Sequence, residues 1–370
     1  MTYLDYSATT PVNDEVLETY VKVSKEFIGN PNSLHKLGVE SKKIIDASTI
    51  QIESLLKIKD KEVIYTSGSS ESNNLAIKGV ALKYQNRGKH IITSPLEHSS
   101  IYGPLSYLQT LGFEVDFVKL NENGQVDLED LKNLIREDTI LVSITAVNSE
   151  IGITQPIEEI GNILKEYPKI IFHSDFTQCM GKKNIKLDNV DLVSFSSHKF
   201  YGVKGIGVLL RNNNIKLEPI IHGGKSTSIY RSGTPALPLI VSLSKALRLA
   251  LNDLDKKYEN VEKKCNDLIE FLSSYNVSIN HNKYCLPHML NISLKDIKPE
   301  TFLHALEEYD IYISTQSACS TSSVSRAVLA FTNNQENAKS SIRISLSYLT
   351  TDEDIKYFKE KFAECIKRLG

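Results

Sequence analysis

Short apolar runs alternate with amphipathic helical patterns through much of the chain, from about residue 60 to residue 210. The run "EVIYTSG" precedes the helical pattern "ESNNLAIKGVALKYQ", "HIITSP" precedes "SSIYGPLSYLQTLG", and "TILVSITAV" precedes "PIEEIGNILKEY". The runs "KIIFHSD" and "VDLVSFSS" follow. This order predicts an α/β fold with a mainly parallel sheet covered by helices.

Polar clusters stand where the predicted strands end. They read "SGSSESNN", "EHSS", "NSEIG", "HSDFTQ" and "SSHK". In folds of this type ligands bind beyond the carboxyl ends of the strands. We therefore expect one functional site, assembled from these clusters.

The pattern changes after Pro238. A long helical periodicity follows, broken near residue 255, and beyond it strand-like stretches such as "HMLNISL", "IYISTQ" and "SIRISLS" mix with helices. This predicts a large domain over residues 14–255 and a smaller α+β domain from residues 1–13 and 256–370. The first dozen residues are expected to pack with the smaller domain or against the site.

Composition narrows the class of protein. Lys and Arg number 43 against 45 Asp and Glu, so no basic excess indicates direct nucleic-acid binding. No apolar run has the length of a membrane span, and no signal peptide is expected. The five cysteines are scattered without a C-x-x-C pair, which argues against a disulfide framework or a structural zinc site and fits a reducing cytoplasm.

The chemistry of the clusters is ambiguous when each is taken alone. Lys199 in "SSHK" is either a solvated lysine or a Schiff-base lysine. "TSGSSESNN" is a capping turn or a phosphate seat at a helix N-terminus. Asp175 could pair with a protonated ring nitrogen, hold a metal or cap a helix, and His98 could stack on a ring, move protons or be structural. Together, a Schiff-base lysine, a carboxylate and a phosphate seat are what pyridoxal 5'-phosphate (PLP) requires.

The motifs and their order resemble those of cysteine desulfurases of the NifS/IscS type, within the class V aminotransferase superfamily. The resemblance covers nearly the whole chain and is carried by "YLDYSATTPV", "GNPNSLHKLG", "TSGSSESNNLAIKG", "EHSS", "VNSEIGITQPI", "SDFTQCMGK", "SSHKFYGVKGIG", "RSGT", "QSACS" and "SIRISLSYLTTDEDI". It implies a fold-type-I PLP-dependent transferase that forms a homodimer and carries its catalytic cysteine loop in the smaller domain.

The resemblance also implies how PLP is held. Lys199 matches the lysine that forms the Schiff base, and Asp175 matches the partner of the pyridine nitrogen. Gln178 and Asn148 match groups near the ring hydroxyl. The ring faces are matched by His98 and Thr177, the phosphate seat by Ser69, Ser70, Ser196 and His198, and a phosphate contact from the second subunit by Thr234.

Substrate and sulfur chemistry follow from the same resemblance. Arg343 matches the arginine that binds the substrate carboxylate, with Asn148 near it, a two-pronged task that lysine does poorly. Cys319 matches the catalytic cysteine, and small polar neighbours in "TQSACSTSS" favour a mobile loop that lets a thiolate reach the substrate. His98 is the expected proton shuttle.

The implied reaction converts L-cysteine to L-alanine and leaves sulfur on Cys319 as a persulfide. The expected recipient is a sulfur-acceptor protein, either an iron–sulfur scaffold or a tRNA-thiolation enzyme. Alternatives are a selenocysteine lyase, a class V aminotransferase or, with less support, a catalytically inactive PLP-fold subunit that binds or regulates. The chain departs from the family pattern at Ser149, Phe176, residues 225–227 and Gln316, which bears on the substrate entrance and the acceptor.

Overall fold

A computed structural model describes residues 1–184, 186–315 and 324–370. Its strands are β1 (Thr2–Tyr3), β2 (Lys61–Thr66), β3 (His90–Thr93), β4 (Glu114–Phe117), β5 (Thr139–Ser143), β6 (Ile171–Asp175), β7 (Leu192–Ser196), β8 (Gly207–Asn212), β9 (Val277–Ile279), β10 (Met289–Leu294), β11 (Ile311–Tyr312) and β12 (Ser341–Ser345).

The large sheet has the strand order β2-β8-β7-β6-β5-β3-β4. Neighbouring strands from β7 to β4 are parallel, whereas β8 runs antiparallel to both β2 and β7. All strands of this sheet except β8 therefore point the same way, and their carboxyl ends share one edge, which we call the carboxyl edge. The predicted mainly parallel sheet is confirmed.

Strands β3, β5, β6 and β7 are buried along their whole length. Because helices cover both faces of a parallel sheet, such strands are apolar without strict alternation. Their side chains divide between two apolar clusters, one containing Ile92, Val142 and Phe172 and the other containing Leu141 and Ile171. This packing fixes the strand ends, and with them the polar residues that follow.

The helices are α1 (Asp14–Glu26), α2 (Lys36–Leu56), α3 (Ser69–Tyr84), α4 (Ser99–Thr110), α5 (Leu128–Leu134), α6 (Ile157–Leu164), α7 (Leu237–Leu251), α8 (Leu254–Leu272), α9 (Pro299–Glu307), α10 (Arg326–Thr332), α11 (Gln335–Lys339) and α12 (Asp352–Leu369). Among the helices that the structure describes, none combines the length and apolar character needed to cross a membrane.

The break predicted near residue 255 lies between α7 and α8. Asp253 there has φ 52°, a left-handed conformation that cannot continue a right-handed helix. Helix α7 packs on α1 and α2, whereas α8 contributes Val261, Cys265 and Leu268 to a separate apolar cluster.

That cluster belongs to the C-terminal part of the chain. Strands β9, β10 and β12 form an antiparallel sheet in the order β12-β10-β9, and Phe358 and Phe362 of α12 pack in the same cluster. Strand β1 pairs in parallel with β11, and Leu4 is buried there too. The N-terminal residues thus join a core built mainly from the last third of the chain. The domain boundaries themselves stay predictions.

Candidate active site

Lys199 stands directly beyond the buried strand β7. A single 3-10 turn, Ser197–Lys199, follows the strand, and Tyr201 then takes a left-handed conformation with φ 66°. The Tyr201 amide donates to Thr10 Oγ1 at 2.8 Å, and its hydroxyl lies 2.6 Å from Ser347 Oγ. A strained turn persists only where its surroundings hold it. The packing therefore fixes where the lysine emerges.

The N-terminal segment lies against this lysine. Lys199 Nζ donates to the carbonyl oxygens of Ser7 at 2.6 Å and Ala8 at 2.8 Å. The Thr10 amide donates to the His198 carbonyl at 3.0 Å. Residues 2–10 therefore do both things expected of them, pairing with the C-terminal part of the chain and closing over the site.

Asp175 ends strand β6 and is buried. Its Oδ1 accepts from the Thr177 amide at 2.9 Å, and its Oδ2 accepts from Asn73 Nδ2 at 2.8 Å. These two donors hold the carboxylate in one orientation. Asn73 was not predicted, although "SESNN" places it on the first turns of α3, facing the sheet.

The N-terminus of α3 offers free backbone donors. No side chain within the described residues caps this helix, whose first residues are Ser69 and Ser70. The backbones of Gly68 and Gly207 approach so closely that a Cβ on Gly207 would lie 2.6 Å from the carbonyl carbon of Gly68. Unpaired N–H groups and the helix dipole make such an end a seat for an anion.

His98 caps α4 with its ring. Its Nδ1 accepts from the Ser100 amide at 3.1 Å, so the ring proton of neutral His98 is on Nε2. Burial lowers the pKa of His98, Asp175 opposes this, and the Lys199 amine lowers it further. His98 is therefore a neutral imidazole near pH 7, with Nε2–H as its free polar group.

His198 is likewise neutral. Burial, helped by the charges of Lys199 and other lysines, lowers the pKa of His198 to about 4. Its Nδ1 lies 3.1 Å from Thr9 Oγ1. It reaches the site as an uncharged hydrogen-bonding group.

Arg343 lines the site and is buried, with a side chain only 2% exposed. Its Nη2 donates to Asp5 Oδ1 and its Nη1 to the Ser149 carbonyl, both at 2.8 Å. Its buried Nε has no hydrogen-bond partner among the described residues. A pre-oriented guanidinium with a spare donor suits a carboxylate ligand. Asp5 was not predicted, although an acid in the otherwise uncharged "YLDYSATT" was a signal.

These groups meet in one cavity of about 170 Å³ at the carboxyl edge. The predicted residues that line it are Ser69, Ser70, His98, Asp175, Thr177, Gln178, His198, Lys199 and Arg343. The other lining residues include Ser7, Ala8, Thr145 and Ser149. Residues from every predicted polar cluster thus converge on a single space.

Three predicted residues of the described structure are not among those that line the cavity, although Asn148 stands between two lining residues and Ser196 Oγ lies 3.6 Å from the Cβ position of Gly68. The Asn148 amide bonds backbone groups: its Nδ2 donates to the Leu96 carbonyl in the loop before α4, and its Oδ1 accepts from the Glu150 amide of its own loop, both at 2.8 Å. Ser196 is buried and donates to the Ile206 carbonyl at 3.4 Å. Thr234 is exposed and does not line the cavity of its own chain. Cys319 lies outside the described residues.

The donor set fits PLP. A lysine amine, a buried carboxylate and an uncapped helix N-terminus suit its aldehyde, ring nitrogen and phosphate in turn. Thr177 Oγ1 is buried and has no hydrogen-bond partner among the described residues, which is what a side chain awaiting a ligand shows.

Comparison with known proteins agrees with this geometry. Residues 2–358 match the family described as aminotransferase class-V. A curated relative from Dictyoglomus turgidum, named cysteine desulfurase IscS, is 40% identical over 99% of this chain and 95% of its own length. The chain belongs to the aminotransferase class-V family, whose members are PLP-dependent enzymes.

Two solved structures narrow the likeness within that family. A NifS-like protein superposes with a TM-score of 0.94 at 34% identity and covers all of both chains. A structure titled SspA in complex with cysteine superposes with a TM-score of 0.83 at 32% identity, over 95% of this chain and all of the other. The predicted fold class and the resemblance to NifS/IscS-type desulfurases are confirmed.

Proposed function

We propose that this protein is a PLP-dependent cysteine desulfurase, which converts L-cysteine to L-alanine and leaves the sulfur on Cys319 as a persulfide. The observation that carries the proposal is that Lys199, Asp175 and Arg343 line one cavity. A cofactor anchor, a ring-nitrogen partner and a carboxylate receptor are thereby within reach of one small amino acid.

Lys199 and Asp175 hold PLP together with the phosphate seat at the start of α3. In this proposal Thr177 and His98 contact its ring, which is supported by their position, like that of Gln178, in the cavity wall. When bound, PLP supplies an electron sink that makes the substrate Cα–H acidic and its Cβ–Sγ bond cleavable. The outlying residues Asn148, Ser196 and Thr234 stay predicted contacts, Thr234 through a second subunit of a homodimer.

Lys199 moves the proton at Cα. Its amine is at the cavity wall, steadied by the Ser7 and Ala8 carbonyls, and it takes the proton once it is neutral. His98 is the second proton carrier: on taking up a proton it becomes an imidazolium, and its lowered pKa makes that cation a ready proton donor through Nε2. The two groups together can move one proton off Cα and deliver one to Cβ.

Arg343 binds the substrate carboxylate. Its unpaired Nε and the fixed plane of its guanidinium give directional, charge-assisted hydrogen bonds. The similar structure titled as a complex with cysteine makes L-cysteine the substrate to test first.

The Cys319 thiolate accepts the sulfur. It attacks Sγ, the S–S bond forms as the Cβ–Sγ bond breaks, and the electron pair of that bond stays on Cβ, which takes a proton. L-Cysteine and one enzyme thiol thus become L-alanine and one persulfide, with no external oxidant or reductant. The persulfide sulfur then passes to an acceptor protein, an iron–sulfur scaffold or a tRNA-thiolation enzyme. The division into domains 14–255 and 1–13 with 256–370, and a cytoplasmic location, are parts of the same proposal.

The test is brief exposure of the PLP-loaded enzyme to L-cysteine, with alanine and protein-bound sulfur measured together. We expect one alanine per added sulfur, and mass mapping should find the sulfur on the peptide that contains Cys319. Cys319→Ser should keep the bound cofactor but make neither product. Cys285→Ser is the matched control and should behave as wild type, since Cys285 is buried.

Added sulfur on Cys179, Cys265, Cys285 or Cys365 would contradict the proposed acceptor. Alanine formed by Cys319→Ser with a keto acid as co-substrate would indicate an aminotransferase. A large preference for L-selenocysteine over L-cysteine would indicate a selenocysteine lyase, and cofactor binding without any turnover would indicate an inactive subunit.

A further inference from the structure

Lys182 is a buried lysine with an unusual environment. Its residue is 5% exposed, and its Nζ donates to Gln178 Oε1 at 3.2 Å. No ion pair to Lys182 occurs in the part of the chain that the structure describes. Buried lysines are rare unless they are paired with acids, so burying this amine costs free energy that its other neighbours do not offset by charge.

A short hydrogen-bonded chain links Lys182 to the site. Gln178 Nε2 donates to the Ser7 carbonyl at 3.0 Å, and the same carbonyl accepts from Lys199 Nζ at 2.6 Å. An ammonium group has only donors, so it fixes which end of the amide faces it. With Oε1 turned to Lys182, the Gln178 amide must present Nε2 to Ser7 and the cavity.

The titratable and charged groups that interact with Lys182 are cationic or neutral. They are Cys179 in the same turns, His198 and Lys199 in the 3-10 turn after β7, His288 in the loop before β10, and Arg343 in β12. Burial lowers the pKa of Lys182 to about 7, and the charge of Lys199 is the next largest cause. The two lysines therefore compete for protons.

We infer that Lys182 is a positioning residue for the reaction: it fixes the Gln178 amide toward the cavity and places a second amine near Lys199. This rests on the cofactor binding proposed above. Lys182 acts through Gln178, the Ser7 carbonyl and its charge, and it is not among the residues that line the cavity.

A purely structural role does not account for this lysine. An apolar side chain would fill the same space without burying an amine among cations. Gln178 and Lys182 both lie in the turns that follow β6, where Gly181 takes a left-handed conformation with φ 71°, and the observed hydrogen bond shows that the two side chains meet.

The test compares three variants as PLP-loaded enzymes. Lys182→Met removes donor and charge, Lys182→Gln keeps a donor but no charge, and Lys183→Met is the control one residue along, where the lysine is only half-buried. The readouts are the pH midpoint of the visible absorbance of the bound cofactor and the rate of PLP release on dilution.

Removing a competing amine raises the pKa of its neighbour, so both Lys182 variants should move the absorbance midpoint upward by about one pH unit. Lys182→Met should also release PLP about tenfold faster, because the Gln178 amide loses its fixed orientation. Lys182→Gln should release it near the wild-type rate, and Lys183→Met should match wild type in both readouts.

An unchanged midpoint in both Lys182 variants would overturn the electrostatic part of the inference. Equal release rates for Lys182→Met and wild type would overturn the positioning part. If wild type itself shows no cofactor absorbance, the proposed function fails instead. Should Lys182→Met not fold, Lys182→Gln alone still decides the electrostatic part.

Discussion

The two edges of the large sheet each hold a buried lysine, and the two lysines have opposite surroundings. Lys61 starts strand β2 and is 8% exposed. Its Nζ donates to the Val190 carbonyl at 2.6 Å and to Asn212 Oδ1. Burial lowers the pKa of Lys61, while Asp191, Asp188 and Asp60 oppose that shift.

Lys182 lies beyond the carboxyl edge and is buried like Lys61. Its charged neighbours are Lys199 and Arg343, whereas those of Lys61 are aspartates. At the amino edge the charges are compensated, as also for Arg211, whose Nη2 bonds Glu62 at 2.6 Å. At the carboxyl edge the cations Lys182, Lys199 and Arg343 stand near one another, with Asp5 paired to Arg343, and no described side chain caps the helix N-terminus there. One edge of the sheet therefore stabilises the fold, whereas the other presents cationic groups to an anionic ligand.

The largest effect is expected at Lys199. Lys199→Ala should abolish borohydride trapping of PLP and lower alanine formation by about a thousandfold or more, because both anchor and base are lost. Lys204→Ala, an exposed lysine in the same loop, should keep both properties. Mass spectrometry of the reduced protein checks this, and trapping that persists in Lys199→Ala would mean that another lysine is the anchor.

The next largest effect is expected when an arginine at each edge is replaced by lysine. Arg343→Lys keeps the charge but loses the planar donor pair, so KM for L-cysteine should rise by about 30-fold or more, equivalent to roughly 2 kcal/mol. Arg211→Lys should lower the unfolding temperature and leave KM unchanged. Steady-state kinetics with thermal melts provide the measurement, and equal KM effects in both variants would erase the distinction between the edges.

A methyl group added at Gly207 should weaken the binding of PLP at the phosphate seat. Gly207→Ala puts a Cβ 2.6 Å from the Gly68 carbonyl carbon and must displace the loop before α3, so PLP should bind about tenfold more weakly. Gly103→Ala is the control, since nothing lies within 4 Å of its Cβ. Equilibrium dialysis of PLP gives the affinities. Wild-type affinity in Gly207→Ala would show that this close approach does not shape the seat.

The smallest effect concerns stability against pH. The pKa of Lys182 is about 7 when folded and roughly 10.4 when unfolded, so between these values the unfolded chain holds the extra proton and stability rises with pH. Lys182→Met should remove that rise and be no less stable than wild type near pH 6.

Lys61→Met is the matched variant for the amino edge. Its unfolding temperature should be roughly 2 to 4 °C lower, because three aspartates lose a nearby cation and the Val190 carbonyl loses its hydrogen-bond donor. Thermal unfolding at several pH values tests both variants. A greater loss of stability in Lys182→Met than in Lys61→Met would reverse the comparison.

The local sequence pattern was enough to predict the mainly parallel sheet and the edge at which the polar clusters meet. Strand–helix alternation is a local pattern, and the carboxyl ends of parallel strands must share an edge, so "SGSS", "EHSS", "HSDFTQ" and "SSHK" had to meet. The cofactor-binding class followed because few proteins need a lysine, a carboxylate and a phosphate seat together. The assignment of residues to cofactor and substrate contacts remains a prediction.

Tertiary structure alone decided how the site is closed and charged. The pair of Asp5 and Arg343 spans 338 positions of sequence, and the Ser7 and Ala8 carbonyls that receive Lys199 are backbone atoms without a sequence signature. The Asn148 amide donates to the Leu96 carbonyl, 52 positions away, which a motif cannot reveal. In the sequence, nothing distinguishes the environment of Lys61 from that of Lys182. Only the folded chain brings three aspartates near Lys61 and two cations near Lys182. Burial then strengthens the electrostatic interaction of each lysine with these neighbours.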